Sequence, residues 1–365
     1  MVPRAQAGAD AVVRLARPDV GDAELVEIRE VLDSGQLTMG PKVDELEALI
    51  ADAAGTEHAV AVSSGTAALH VAVLALGIGP GDEVLVPAYT FPATANVVAL
   101  AGARPVLVDV DPVTMNLDPA DVARRVTLRT KAVLAVHLFG RPARLDELPT
   151  GLTVLEDAAG ALGATRGGRA CGSLGAIACF SFHPRKIVTT GEGGAVTTND
   201  SGLAERMRSL RHHGWSPSAR YDDMPEGGYN YRLSDVLCAL GIPQLRRLDE
   251  LLAARERAAA GYAERLAALD VVLPEADPGD RHGLQAYVIQ LDRRDEVMES
   301  LRAQGIQCQI GTYALHRLGA YRDHGSFPGA DAAFERALAL PLHSRLTDAE
   351  LDRVAEALDK VVSHH

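Results

Sequence analysis

The sequence predicts an α/β fold with a mostly parallel central sheet, helices on both faces and a smaller α+β domain at the C-terminal end. Three observations carry this. From His58 to about Leu155, short apolar runs rich in Val, Leu and Ala alternate with stretches of helical period, the pattern of strand–helix–strand units whose strands lie parallel. Hydrophobic residues make up 47% of the 365, and 34 are glycine, which suits a substantial core linked by many turns. After Gly241 the pattern changes to leucine-spaced helix, which divides a large unit over 1–245 from a smaller one over 246–365.

In chain order, Asp22 is placed to cap a helix whose apolar Leu25, Ile28 and Leu32 recur at three and four residues, with Gly35 as its stop. A second helix runs from about Val43 through Leu46, Leu49 and Ile50 to Gly55, and the turn-rich SGQLTMGPKV between them is expected near the active site. The strand AVAVS then meets Ser63-Ser64-Gly65-Thr66-Ala67 at the start of a helix. Such a junction points several backbone N–H groups at one spot, at the positive end of the helix dipole, and suits a phosphate. It also serves as an ordinary helix cap. Without Gly-Lys-Ser/Thr or GxGxxG it is neither a nucleotide P-loop nor a dinucleotide turn.

Strands are expected next at Glu83–Val86, Pro105–Val108, Ala132–Val136 and Thr153–Leu155, with helices at about Pro92–Ala101 and after Asp118. Ligands collect at the carboxyl ends of such strands, which singles out Ser63 to Ala67, Tyr89 to Phe91, Asp109, His137, Glu156-Asp157 and the segment around Lys186. Beyond Gly241, Leu245, Leu248, Leu251, Leu252, Tyr262, Leu266 and Leu269 predict a long linking helix. Strands are expected at Ala286–Leu291 and Gln307–Ile310. A last helix is opened by the capping box Thr347/Glu350 and carries Leu351, Val354, Leu358 and Val361.

A formal net charge of −13 argues against a nucleic-acid footprint. Four cysteines without CxxC spacing read as reduced core residues of a cytoplasmic protein. The N-terminal stretch has no uninterrupted apolar run, so neither a signal peptide nor a membrane anchor is expected. No metal site is read, and His364-His365 are set aside as an exposed tail or tag remnant.

The chemistry centres on FSFHPRKIVTTGEGG, residues 180–194, which holds Lys186, one of only four lysines in an arginine-rich chain. An ammonium on a flexible stem can be desolvated and deprotonated, whereas guanidinium cannot, so nucleophilic amine chemistry needs lysine. Asp157, at the tip of a buried strand, either caps the Ala-rich stretch beyond it or pairs with a protonated pyridine nitrogen. Phe91, just past another strand end, either packs into the core or stacks on a ring.

At these residues the chain strongly resembles the DegT/DnrJ/StrS family of sugar aminotransferases, which have the type I fold of pyridoxal 5′-phosphate (PLP) enzymes. The resemblance runs through SGQLTMGPKVDELE, SSGTAAL, GDEVLVPAYTFPATAN, EDAA, FSFHPRKIVTTGEGGAVTTND, GYNYRLSDVLCALGIPQLRRLD and LPLH. It implies PLP, with pyridoxamine phosphate between two half-reactions. Lys186 would be the Schiff-base lysine and proton carrier, Asp157 would face the ring nitrogen and Phe91 would stack on the ring. Gly65, Thr66, Ala67 and Ser181 would bind the phosphate, joined by Asn230 from a neighbouring subunit in a homodimer with shared sites. Tyr313 and His316 align with a segment that faces the sugar, and His183 and Arg232 complete the substrate candidates.

The implied reaction moves an amino group from L-glutamate or glutamine to a nucleotide-linked 4-keto-6-deoxyhexose. A 3-keto sugar or a cyclitol ketone suits the same motifs, and a regulatory sensor that kept the fold is the alternative of another class. Arg211, Arg220 and Arg232 are candidates for the diphosphate, and Trp215, Tyr221 and Tyr229 for stacking on base or sugar. Two departures from the family stand out. Gly160 replaces a Gln or His near the cofactor's ring oxygen, and Arg185 precedes the lysine where smaller residues are common. Arg185 either points to solvent or helps bind substrate phosphate, and no role is assigned to it.

Overall fold

A computed structural model describes residues 12–215, 224–322 and 325–363. Its main sheet holds β1 (His58–Val62), β2 (Glu83–Pro87), β3 (Arg104–Val108), β4 (Thr130–Val136), β5 (Val154–Asp157), β6 (Ile177–Ser181) and β7 (Gly194–Thr198), in the spatial order β1-β7-β6-β5-β4-β2-β3. From β6 across to β3 every pairing is parallel. Strand β7 alone is reversed, antiparallel to both β1 and β6. The connection 182–193 holds no helix to carry a parallel crossover, so the chain doubles back there, and that return contains Lys186.

Side chains alternate across the sheet with the two-residue period of a strand. Val60 and Val62 join the core under α3 (Gly65–Ala75) and α4 (Ala93–Leu100), whereas Ala59 and Ala61 face α2 (Pro41–Ala54) and α7 (Asp235–Arg246). A second sheet, β8 (Tyr287–Gln290), β10 (Ala337–Leu340) and β9 (Gln309–Ile310), is antiparallel with β10 in the middle. Tyr262 of α8 (Leu248–Leu266), Leu301 of α9 (Arg294–Ala303), and Val354 and Leu358 of α11 (Asp348–Val362) back it, and Val13 joins the same cluster. Among the described residues no helix is long and apolar enough to cross a membrane. Cys171, Cys179, Cys238 and Cys308 are buried and unbridged.

The structure departs from the expected elements in three places. Gly21, not Asp22, is the cap of α1 (Asp22–Ser34), its N–H bonded to Glu24 Oε2 at 2.6 Å. Leu25 and Leu32 lie on the outside of that helix, 61% and 58% exposed, while Val31 is buried. The predicted linking helix is two helices that break at Arg247, and Gly241 lies inside the first. A Cβ on Gly241 would meet Thr190 Cγ2 at 2.9 Å and Leu46 Cδ1 at 3.1 Å, so glycine lets α7 pack closely against the 182–193 return and α2. The capping box of α11 is present, with Thr347 Oγ1 accepting from Glu350 N and Glu350 Oε2 from Thr347 N.

Candidate active site

At the carboxyl ends of the parallel strands opens a cavity of about 440 Å³, within the usual range for small-molecule sites. Asp157, the last residue of β5, lies on its wall and is 5% exposed. Thr94 Oγ1 donates to Asp157 Oδ2 at 2.9 Å and Ala159 N–H to Oδ1 at 3.2 Å. Burial pushes this carboxyl above its ordinary pKa, opposed by those two donors and by the charge of Lys186.

One residue earlier, Glu156 points the other way and is fully enclosed. Its carboxylate accepts from the N–H groups of Gly172, Leu174 and Gly175 at 2.9, 2.8 and 2.6 Å, and its Oε2 lies 2.8 Å from His137 Nε2. Ala143 N–H donates to His137 Nδ1 at 2.9 Å, which leaves the ring proton on Nε2, directed at Glu156. This network pins the end of β5, and with it Asp157.

Lys186 reaches the same cavity from the return between β6 and β7. Its backbone N–H closes a tight turn on His183 O at 2.8 Å. Burial pulls the amine below the ordinary lysine range; the Asp157 charge opposes this and the Arg185 charge adds to it.

The junction after β1 forms a cradle. Ser64 Oγ caps Ala67 N–H at 3.0 Å, while the N–H groups of Gly65 and Thr66 have no protein acceptor among the described residues. Ser181, at the end of β6, stands so close that a Cβ on Gly65 would lie 2.7 Å from Ser181 Cβ. Two free N–H groups at the start of an eleven-residue helix, with a hydroxyl beside them, fit a phosphate; a buried carboxylate and a desolvated lysine in the same cavity fit the ring nitrogen and aldehyde of PLP.

Of the candidates named from sequence, Gly65, Thr66, Phe91, Asp157, Ser181, His183 and Lys186 share this wall. Phe91 is 61% exposed, with Tyr313 set edge-on at 6.2 Å between ring centroids; Tyr313 lies off the wall, paired with Thr90 across a short ribbon. Ala67 is buried behind the wall, its N–H taken by Ser64. Asn230 is exposed and bridged to His212, and Arg232 lies off the wall as well. His316 is turned away, its Nε2 2.9 Å from Asp331 Oδ1 and its ring against Phe327. Arg211 is not at the site: it is buried, bound to Glu47 and to the Ala61 carbonyl, and ties α2 to β1. Trp215 packs on His212 and Tyr229 stacks on Tyr231. Arg220 and Tyr221 lie outside the described residues.

Sequence reasoning passes over Thr94, the Glu156 network, Gln285 and Gln309. Thr94 has a local signal, four residues after Thr90 at a helix start, and their hydroxyls lie 3.2 Å apart. The two glutamines have none, because only the packing of the second sheet brings them to the cavity.

The DegT/DnrJ/EryC1/StrS aminotransferase family model matches residues 18–359. GDP-perosamine synthase of Caulobacter vibrioides is 42% identical over 96% of this chain and 98% of its own. Among solved structures, DesI in the presence of its TDP-sugar product superposes with a TM-score of 0.91 at 36% identity, covering 97% of this chain and 94% of DesI. The PLP form of the sugar aminotransferase Spr1654 from Streptococcus pneumoniae also superposes at 0.91, with 29% identity over 97% of this chain and 98% of that one. The chain belongs to the DegT/DnrJ/EryC1/StrS aminotransferase family. It has the α/β fold of those enzymes and is an aminotransferase.

Proposed function

We propose that the chain uses PLP to move an amino group from L-glutamate to a nucleotide-linked keto sugar, a 4-keto-6-deoxyhexose. The observation that carries this is the presence, in one cavity, of buried Asp157 and desolvated Lys186 beside a free helix N-terminus. Bound PLP supplies an aldehyde for amines to condense with and a ring that takes up the electron pair released when a carbon loses its proton.

The chain's residues do the rest. Gly65 and Thr66 N–H and Ser181 Oγ hold the phosphate. Asp157 keeps a proton on the ring nitrogen, steadied by Thr94. Phe91 covers one face. Lys186 would anchor the aldehyde and, once released, carry the proton between the substrate carbon and the former aldehyde carbon, a task for a neutral amine, which its lowered pKa favours.

The acceptor class rests on the GDP- and TDP-sugar names of the relatives. Asn230 is exposed and away from its own cavity, as suits a residue offered to the site of a second copy. Exposed Leu25, Val26 and Leu32 on α1 offer an apolar face for such a dimer. Residence in the cytoplasm is supported by four buried, unbridged cysteines.

The test is to mix the PLP-loaded protein with L-glutamate, measure 2-oxoglutarate, and repeat with Lys186→Ala. Stoichiometric 2-oxoglutarate from wild type and none from the variant is the expected result. No product from wild type overturns the glutamate reading. Addition of GDP- or TDP-linked 4-keto-6-deoxyhexose then tests the acceptor by mass spectrometry of the amino sugar.

A further inference from the structure

We propose that Arg185 is the anion-recognition residue of this active site, its guanidinium held by Gln309 to receive an anionic oxygen group of the substrate. This rests on the aminotransferase reading above, which supplies two sources for such a group: a carboxylate of the amino donor or the diphosphate of the sugar nucleotide.

Position is the first argument. Arg185 adjoins Lys186 and lines the 440 Å³ cavity, and it also lines a second cleft of about 610 Å³ walled by Val12 to Pro18 and by Gly305 to Gln309. Arg185 and Gln309 are common to both spaces, so the guanidinium stands where the cofactor cavity and the cleft share a wall. A substrate with its reacting carbon at Lys186 and a charged portion extending toward the cleft would meet it.

Charge is the second. Among the described residues, lysine and arginine side chains on the cavity wall number only two, Lys186 and Arg185, and the chemistry occupies Lys186. Among the same residues no carboxylate pairs with Arg185. Its side-chain partner is neutral: Nη2 donates to Gln309 Oε1 at 2.6 Å. Burial lowers its pKa. A partly desolvated cation without a counter-ion is unfavourable until an anion arrives, and a guanidinium with donors to spare suits carboxylate and phosphate alike.

Preorganisation is the third. Gln285 Nε2 donates to the Arg185 carbonyl at 3.3 Å. The same Gln285 stem fills the space beside Gly160, where an added Cβ would lie 3.2 Å from Gln285 Cβ and Cγ. Glycine at 160 and arginine at 185, the two departures noted in the sequence, thus meet at one glutamine. Gln309 fixes the head of Arg185 and Gln285 its backbone; both are positioning residues.

The experiment uses PLP-loaded wild type, Arg185→Gln, Arg185→Lys and Gln309→Leu. Calorimetry with glutarate and with inorganic pyrophosphate measures anion binding without turnover, and the two half-reactions are followed separately. In Arg185→Gln, binding of one probe weakens about 10- to 150-fold, the range of a charge-assisted pair, and KM for the matching substrate rises while the melting temperature holds. Loss confined to glutarate and L-glutamate assigns the donor carboxylate; loss confined to pyrophosphate and the nucleotide sugar assigns the diphosphate. Arg185→Lys recovers part of the affinity and Gln309→Leu loses part. If wild type binds neither probe, or both probes bind Arg185→Gln as tightly as wild type, the proposal is overturned. It is equally overturned if Arg185→Gln unfolds and the folded Arg185→Lys binds both probes normally, since Arg185 is then only a structural clamp. Arg185-dependent binding without 2-oxoglutarate formation overturns the glutamate-donor reading instead.

Discussion

Gly65→Ala isolates the phosphate cradle. The new Cβ would sit 2.7 Å from Ser181 Cβ and 3.1 Å from Ser181 Oγ, inside contact distance. Ser181 cannot simply swing aside, because β6 holds it in register with Gly194 of β7. Either the first turn of α3 or the end of β6 must retreat, and overpacking of this kind costs about 1–3 kcal/mol of stability. The same retreat carries the Gly65 and Thr66 N–H groups off the phosphate. Loss of one hydrogen bond to a charged group is worth about 1.5–3 kcal/mol, or roughly 10- to 150-fold in Kd. The assay titrates apo protein with PLP and with pyridoxal, which has the same ring and aldehyde but no phosphate. PLP affinity is expected to fall by that factor while pyridoxal affinity holds. Pairing Gly65→Ala with Ser181→Gly should restore stability but only part of the PLP affinity, since the Ser181 hydroxyl is gone. Equal losses for PLP and pyridoxal would refute the cradle and show that the substitution merely distorts the cavity.

The same geometry sets three further outcomes. In Asp157→Asn the charge that holds Lys186 up is removed, so the apo-protein amine should titrate at lower pH, read from the pH dependence of amine acylation; kcat/KM should fall about 10²- to 10³-fold. Glu156→Gln leaves three N–H donors and a histidine facing an amide, and denaturant unfolding should register a loss of about 1–3 kcal/mol; a loss near zero would remove Glu156 from its anchoring role. Burial pushes Asp19 up, but its bonds to Arg345 and Ser344 prevail and hold it at about 2 instead of the ordinary 3.8. A depressed carboxylate stabilises above its unfolded pKa and loses that contribution as pH falls through its folded one. Asp19→Asn should therefore destabilise by about 1 kcal/mol near neutrality, discounted for solvent screening, by progressively less as the pH falls below the ordinary carboxylate value, and by nothing only once the pH is well below the folded value.

Legibility in the sequence depends on how local each feature is. The strand ends and the α3 cradle announce themselves within a few residues, and the residues assigned there, Gly65, Asp157, Ser181 and Lys186, do share one wall. The reversal of β7 is hidden because apolar runs carry no direction; only the helix-free return at 182–193 distinguishes it. Strand β10 escapes detection although it is the middle of its sheet, since ALAL directly after α10 (Pro328–Arg336) reads as more helix. On α1 the periodicity is legible and its meaning is not: the Leu25/Leu32 stripe faces outward, and a helical period says which residues share a face without saying what covers it.

The Arg185 cluster lies beyond the reach of such reasoning for a different reason. Gln285 and Gln309 lie 100 and 124 residues beyond the arginine, and nothing near either one marks it as facing a cavity. What the sequence does offer is a pair of departures, Gly160 and Arg185, each without an evident purpose alone. The structure relates them through Gln285: glycine at 160 leaves room for the glutamine stem, and the glutamine amide binds the backbone of Arg185. If that relation has been selected, Gly160→Gln should disturb Arg185 before it disturbs the cofactor. The incoming side chain would evict Gln285, so anion affinity should fall in the calorimetric assay while PLP affinity holds. Weaker PLP binding with unchanged anion binding would mean that the two departures are independent.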